Sequence, residues 1–158
     1  IKIDTPDKNL LTQFYSAFYR ASLLPRVMSD VNGSYPSFAG ATKTEIAEDF
    51  LYYDDFCAWD TYRTLMPMLN IISPDKVGDM VTSLTAKYKQ GGWLPIFPCW
   101  NSYTSAMIGD HITSIICDAY LKGTPIQSIG LAYEAMRKML SRYLKTIHSI
   151  AMEEDDVH

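Results

Sequence analysis

Ser73-Pro74-Asp75-Lys76-Val77-Gly78-Asp79-Met80-Val81-Thr82-Ser83-Leu84-Thr85-Ala86-Lys87-Tyr88-Lys89-Gln90-Gly91 reads as one complete helix. A hydroxyl residue, a proline and an acid in succession suit a helix start: the hydroxyl caps, the proline needs no N–H, and the acid faces the positive end of the dipole. Val77, Met80, Val81, Leu84 and Tyr88 then recur at three- and four-residue spacing, so one face is apolar. Gly91-Gly92 releases the chain. A face of that kind must lie against other apolar elements, and the flanking sequence supplies them.

The same start recurs upstream as Thr5-Pro6-Asp7 and downstream as Thr124-Pro125. The first predicts a helix from about Pro6 to Ser22, carrying Leu10, Leu11, Phe14, Ala17, Phe18 and Ala21 and ended by Pro25. The second predicts the last long helix, carried by Ile129, Ala132, Met136, Met139, Leu140, Tyr143, Leu144 and Ile147. Between Thr104 and Lys122 the stripe is Met107, Ile108, Ile112, Ile115, Ile116, Ala119 and Tyr120, with Gly123 as the stop. Cys57 to Leu65 reads as a further helix start, with Trp59 and Asp60 near its N-terminus, Leu65, Met66 and Leu69 as its buried stripe, and Pro67 as kink or stop. The aromatic run Phe50 to Phe56 reads as an extended segment, and residues 25–43 as a long irregular connection turning at Asn32-Gly33. The predicted fold is all-α, built of antiparallel helical hairpins with the loops collected at one end. A bundle and part of a toroid fit this pattern equally well.

At 158 residues, 47% hydrophobic and 20% charged, the chain suits a single packed domain. Its net charge of −4, with no basic run, argues against nucleic acid as a partner, and no apolar stretch is long enough to span a membrane. Cys57, Cys99 and Cys117 lack metal-type spacing, and their odd number excludes a complete intrachain disulfide set. No leader sequence is visible and Ile1 is not a start methionine, so Ile1 is expected to be a processing boundary or an internal point of a longer chain. The acidic run Glu153-Glu154-Asp155-Asp156 opposes a helix dipole, so fraying or continuation of the chain is expected there.

Gly91 to His111 is the stretch with binding character. Pro95 and Pro98 stiffen it, and Trp93, Phe97, Trp100 and Tyr103 alternate with Asn101, Ser102 and Thr104. Flat apolar faces beside short hydrogen-bonding groups suit a sugar ring. The same aromatics would also serve to plug the end of a helical bundle.

Five motifs carry a more specific reading: Leu24-Pro25-Arg26 with Ser29-Asp30-Val31-Asn32-Gly33, Phe56-Cys57-Ala58-Trp59-Asp60-Thr61-Tyr62-Arg63, Gly91-Gly92-Trp93-Leu94-Pro95-Ile96, Met107-Ile108-Gly109-Asp110-His111, and Asp118-Ala119-Tyr120-Leu121-Lys122-Gly123. In order and spacing they resemble glycoside hydrolase family 92, the calcium-dependent α-mannosidases, over nearly the whole chain. The resemblance implies a β-sandwich domain followed by an (α/α)6 barrel, with residues 1–158 matching only the middle of that barrel. It implies a secreted or periplasmic enzyme that removes terminal α-linked mannose with inversion, and calcium as cofactor. No Asp-x-Asp-x-Asp-Gly loop marks a calcium site.

Inversion requires a proton donor on the leaving oxygen and a carboxylate that activates water on the opposite face, roughly 6.5–9.5 Å away. In most family members the donor is the glutamate of an Asn-Glu-Thr motif, and that motif falls here on Ser102-Tyr103-Thr104. Tyr103 thus stands at the acid position, while the general base belongs to a later motif outside this chain. A phenol near its ordinary pKa of ~10 is a weak donor at neutral pH. The substitution is compatible with an activated leaving group such as a mannosyl phosphodiester, with a different acid, Asp60 and Asp110 being near in sequence, or with a carbohydrate-binding protein that does not cleave. The resemblance implies mannose contacts from Trp59, Asp60 and Ser102, an outer subsite at Trp100, and a role for Asp30. Arg63 is expected to orient Asp60. Trp93 and His111 read as structural, and His148 and His158 have no constellation. A helical interaction domain without ligand would instead bury Trp59, Trp100 and Tyr103 in a dry core.

Overall fold

The computed structural model describes residues 1–40 and 42–155, with side chains through Leu144. Among the described residues there are six α-helices: α1 (Lys8–Ala21), α2 (Ala58–Thr61), α3 (Leu65–Ile72), α4 (Pro74–Gly91), α5 (His111–Leu121) and α6 (Ile129–Asp155). Short strands form three antiparallel pairs: β1 (Arg26–Val27) with β4 (Tyr53–Asp54), β2 (Ser34–Pro36) with β3 (Thr44–Ile46), and β5 (Pro98–Cys99) with β6 (Ser102–Tyr103). None of the described helices is long and apolar enough to cross a membrane.

Helix α4 is the centre. Val77, Met80, Val81, Leu84 and Tyr88 are buried against Met66 and Leu69 of α3, Ile112, Ile115, Ile116 and Ala119 of α5, and Ala132, Ala135 and Met139 of α6. Proline stands at its first turn, and Gly92, at φ 84°, closes it through an N–H bonded to Tyr88 O at 2.7 Å.

The other helix boundaries differ from the predicted ones for local reasons. Asp7, not Thr5, caps α1, accepting the N–H groups of Asn9 and Leu10 at 2.8 and 3.2 Å. The segment after Cys57 makes only one turn, and Pro67 lies in the first turn of the separate helix α3, where its missing N–H has no intrahelical partner to lose. Helix α5 begins at His111 because Asp110 caps it, accepting from Thr113 N–H at 3.2 Å and from the Thr113 hydroxyl at 2.6 Å. Met107 and Ile108, predicted to be buried in that helix, therefore sit before it and are exposed. Thr124 caps nothing; its hydroxyl donates to Asn70 Oδ1 at 2.8 Å, and α6 starts at Ile129. The acidic end is helical through Asp155, while Asp156 and His158 lie outside the described residues and the side chains of Ile147 and His148 are not described.

Candidate functional site

The site starts from the two extended segments that precede the Trp59 helix and the Trp100 turn. β5 and β6 are joined by only two residues, Trp100 and Asn101, at φ 52° and 54°. Positive φ at both central positions is the requirement of a type I′ turn, which normally recruits Asn and Gly, and a tryptophan there is strained. The strain is held from outside. Asp55 Oδ1 accepts the Trp100 N–H at 2.9 Å and Asp54 Oδ2 accepts the Asn101 N–H at 2.6 Å. Asp55 and Cys57 themselves have positive φ, 55° and 44°. Backbone strain concentrated where two segments meet is a mark of functional sites.

These bonds bring the two predicted regions together. The Phe56 N–H donates to Pro98 O at 3.2 Å, and the Cys57 thiol lies in hydrogen-bonding contact with Cys99, both thiols pushed up by burial, Cys99 to about 12. One residue past Cys99 is Trp100; two residues past Cys57 is Trp59, at the start of α2. Trp100 is 78% exposed and Trp59 38%, with Asp60 exposed beside it and Ser102 half-buried on β6. Tyr103 is 37% exposed. A ligand-free interaction domain would have buried these aromatics in a dry core, and they are not buried.

Tyr103 is committed to the scaffold. Its hydroxyl donates to Trp93 O at 2.8 Å and accepts from Trp93 N–H at 3.2 Å, and its ring meets Phe38 edge-on at 4.8 Å. Gly91 makes room for it, since a Cβ there would run into the hydroxyl. Burial pushes the phenol above its ordinary pKa, with the Trp93 hydrogen bond pulling the other way. Together with Trp93, Phe97, Thr104 and Arg142, Tyr103 lines a cleft of about 300 Å³.

Other expectations resolve as follows. Arg63 does not pair with Asp60; its guanidinium lies 5.4 Å from the Trp59 ring centroid and 5.3 Å from that of Tyr62, and its Nε donates to the Tyr62 hydroxyl at 3.0 Å. It fixes the indole rather than the carboxylate. His111 stacks on Tyr62 at 4.1 Å, a structural role. Asp110 spends both carboxylate oxygens on Thr113. Asp30 is not brought to the rim: it lines a separate cleft with Asn32, Asp49 and Asp79. Among the described residues there is no group of three or more His, Cys, Asp or Glu that could hold a metal ion.

Four residues of the site carry no role in the sequence reading: Arg26, Asp54, Asp55 and Lys87. Arg26 forms an ion pair with Asp55. Lys87 Nζ lies 2.8 Å from Asp54 Oδ1, with both side chains fully buried. The available signal was charge in an apolar pattern, since Lys87 follows Leu84 by three positions on the buried stripe of α4 and Asp54-Asp55 interrupts an aromatic run.

The profile of the glycosyl hydrolase family 92 catalytic domain matches residues 1–154. Among solved structures, a family GH92 α-mannosidase of Bacteroides thetaiotaomicron is similar at 32% identity and TM-score 0.79, covering 85% of this chain and 18% of its own. The same enzyme in complex with mannoimidazole gives 33% identity and TM-score 0.73, covering 78% and 16%. An inverting GH92 mannosidase of the same organism gives 28% identity and TM-score 0.69, covering 80% and 17%. No curated protein sequence matches. The chain thus spans less than a fifth of the solved structures it resembles.

Proposed function

Because this chain belongs to glycosyl hydrolase family 92, we propose that it is one sector of an (α/α)6 catalytic barrel that hydrolyses terminal α-mannosides with inversion, outside the cytoplasm. The rest of the barrel, a β-sandwich domain and the general base come from other segments of the same polypeptide. Two open flanks support the sector reading. The amphipathic helix α1 buries none of its residues, and α5 and α6 leave an apolar groove of about 450 Å³ along Tyr120, Leu121, Ile129 and Tyr133. Apolar faces of that size are covered in a complete fold. Calcium is the cofactor that the family membership implies for the complete polypeptide.

The observation that carries the sugar reading is that the Phe56–Pro98 hydrogen bond and the Cys57–Cys99 contact tie the Trp59 helix start to the pinned Trp100 turn, with both indoles left exposed. Indole faces take the apolar side of the mannose ring and the Asp60 carboxylate accepts from its hydroxyls. Tyr103 buttresses this edge without donating a proton, its hydroxyl hydrogen being directed at Trp93 O. The leaving group therefore needs little protonation, as in a mannosyl phosphodiester, or is protonated by another acid. The same hydrogen bond favours one rival, a carbohydrate-binding protein on this fold that does not cleave.

The complete polypeptide, assayed with aryl α-mannosides and α-mannosyl phosphodiesters, should release mannose as the β-anomer, seen by proton NMR before mutarotation. Binding without turnover of either class would favour the rival. Tyr103→Phe should leave kcat within about threefold while lowering stability by about 1–2 kcal/mol through the lost hydrogen bonds. A kcat loss of roughly 10²–10⁴, the range for a removed general acid, would assign the proton to Tyr103 after all.

A further inference from the structure

Beneath the Trp100 turn lies a buried ion pair that a mannoside cannot touch. Lys87 and Asp54 have no exposed side-chain surface, and Nζ stands 2.8 Å from Oδ1. Buried pairs are poor devices for stability, because apolar residues of the same volume often serve as well or better. What this pair does that apolar residues could not is order polar groups.

We propose that Lys87 and Asp54 are positioning residues for the sugar site, acting through Trp100; the inference rests on the mannoside reading above. Asp54 Oδ2 accepts the Asn101 N–H at 2.6 Å, fixing one half of the strained turn. Lys87 Nζ donates to the Tyr52 hydroxyl at 2.6 Å, and that hydroxyl donates to Asn101 Oδ1 at 2.7 Å. The Asn101 amide nitrogen then donates to Pro36 O and Ser37 O at 2.7 and 3.1 Å. Every polar group of the Asn101 side chain is thereby engaged, and with Asn101 fixed the exit direction of Trp100 is fixed as well. The same ammonium lies 4.1 Å from the Tyr52 ring centroid and 5.0 Å from that of Phe38, which supports Tyr103. One buried cation thus underlies the supports of both rim aromatics, while neither partner reaches the surface.

The test uses the complete polypeptide carrying Lys87→Met with Asp54→Asn. Both charges leave together, methionine replaces the lysine stem, and the amide oxygen introduced at position 54 still offers an acceptor to the Asn101 N–H. KM for an α-mannoside should rise about tenfold with kcat within about twofold. Trp100→Ala should raise KM similarly, and the triple variant should be no worse than Trp100→Ala alone, the coupling expected if the pair acts through that indole. Amide hydrogen exchange at Trp100 and Asn101 should quicken at least about tenfold, with the α5 amides unchanged. Wild-type KM and exchange in the double variant, or effects that multiply with Trp100→Ala, would overturn the inference. A wild-type protein that handles no mannoside overturns the sugar reading instead, and exchange alone then decides whether the pair holds the turn. Should the double variant not fold, Tyr52→Phe removes the hydroxyl shared by Lys87 and Asn101 and leaves only the longer direct contact from Nζ to Oδ1 at 3.4 Å: KM should rise about threefold, again without adding to Trp100→Ala, and an unchanged KM would refute the role.

Discussion

Lys87→Met alone should destabilise the domain by about 3–5 kcal/mol at neutral pH, the cost of leaving one member of a buried pair uncompensated. Asp54 would keep Asn101 N–H as a partner but lose the ammonium beside it, and the Tyr52 hydroxyl would lose its donor. The pH dependence has a definite sign. Burial outweighs the attraction of Asp54 and lowers the Lys87 pKa from 10.5 to about 8. Between those values the unfolded chain binds the proton and the folded one does not, so the Lys87 contribution to stability rises as pH climbs from 8 towards 10.5. Tyr52, Cys57 and Cys99, whose pKa values burial raises, act in the opposite sense in the alkaline range. Those groups are present in both proteins, so most of their contribution cancels in the difference between wild type and variant, which should widen with pH. Denaturant titrations at about pH 7 and pH 9.5 measure it. A variant as stable as wild type, or a gap that narrows with pH, would contradict the burial and pairing described for Lys87.

Asp60→Ala should have the opposite profile: little effect on stability and a large effect on binding. Asp60 is exposed in the first turn of α2, where an acid is worth well under ~1 kcal/mol through the helix dipole. Hydrogen bonds to a charged acceptor are worth about 1.5–3 kcal/mol, which corresponds to roughly 10- to 150-fold in mannoside affinity. Calorimetry of the complete polypeptide with mannose, beside thermal melts of both proteins, separates the two quantities. Unchanged affinity in a folded variant would remove Asp60 from the site.

The legible parts of the sequence were those in which local chemistry and burial agree. Ser73-Pro74-Asp75, the Val77 to Tyr88 stripe and Gly91-Gly92 all point to one helix, and α4 follows them. The extended reading of Phe50 to Phe56 is met by β4, and Asn32-Gly33 does turn, with Gly33 at φ 81° and a Cβ there placed 2.8 Å from Ala47 O. Where tertiary partners decide, local pattern misled. Met107 and Ile108 share helical spacing with Ile112, yet Gly109 at φ 87° and the Asp110 cap start α5 after them. The β5–β6 turn lacks the usual glycine because its strain is held by carboxylates 45 and 47 residues earlier in the chain, a dependence that no local window contains. Trp100 stood among loop aromatics that suited a sugar or a bundle plug equally, and Trp59 was singled out only by the family resemblance; both indoles are exposed. Lys87 and Asp54 were not, because a charge among apolar neighbours reads as a solvated face until its partner is found.

The claim on which the rest depends is that Trp59 and Trp100 belong to one binding site. Fluorine NMR of the complete polypeptide with 5-fluorotryptophan, titrated with mannose, addresses it directly, with Trp-to-Phe variants assigning the resonances. The account predicts that the Trp59 and Trp100 signals move together along a single binding curve while Trp93, held beneath Lys138 and Arg142, stays in place. Movement of one without the other, or two curves with different Kd values, would contradict it.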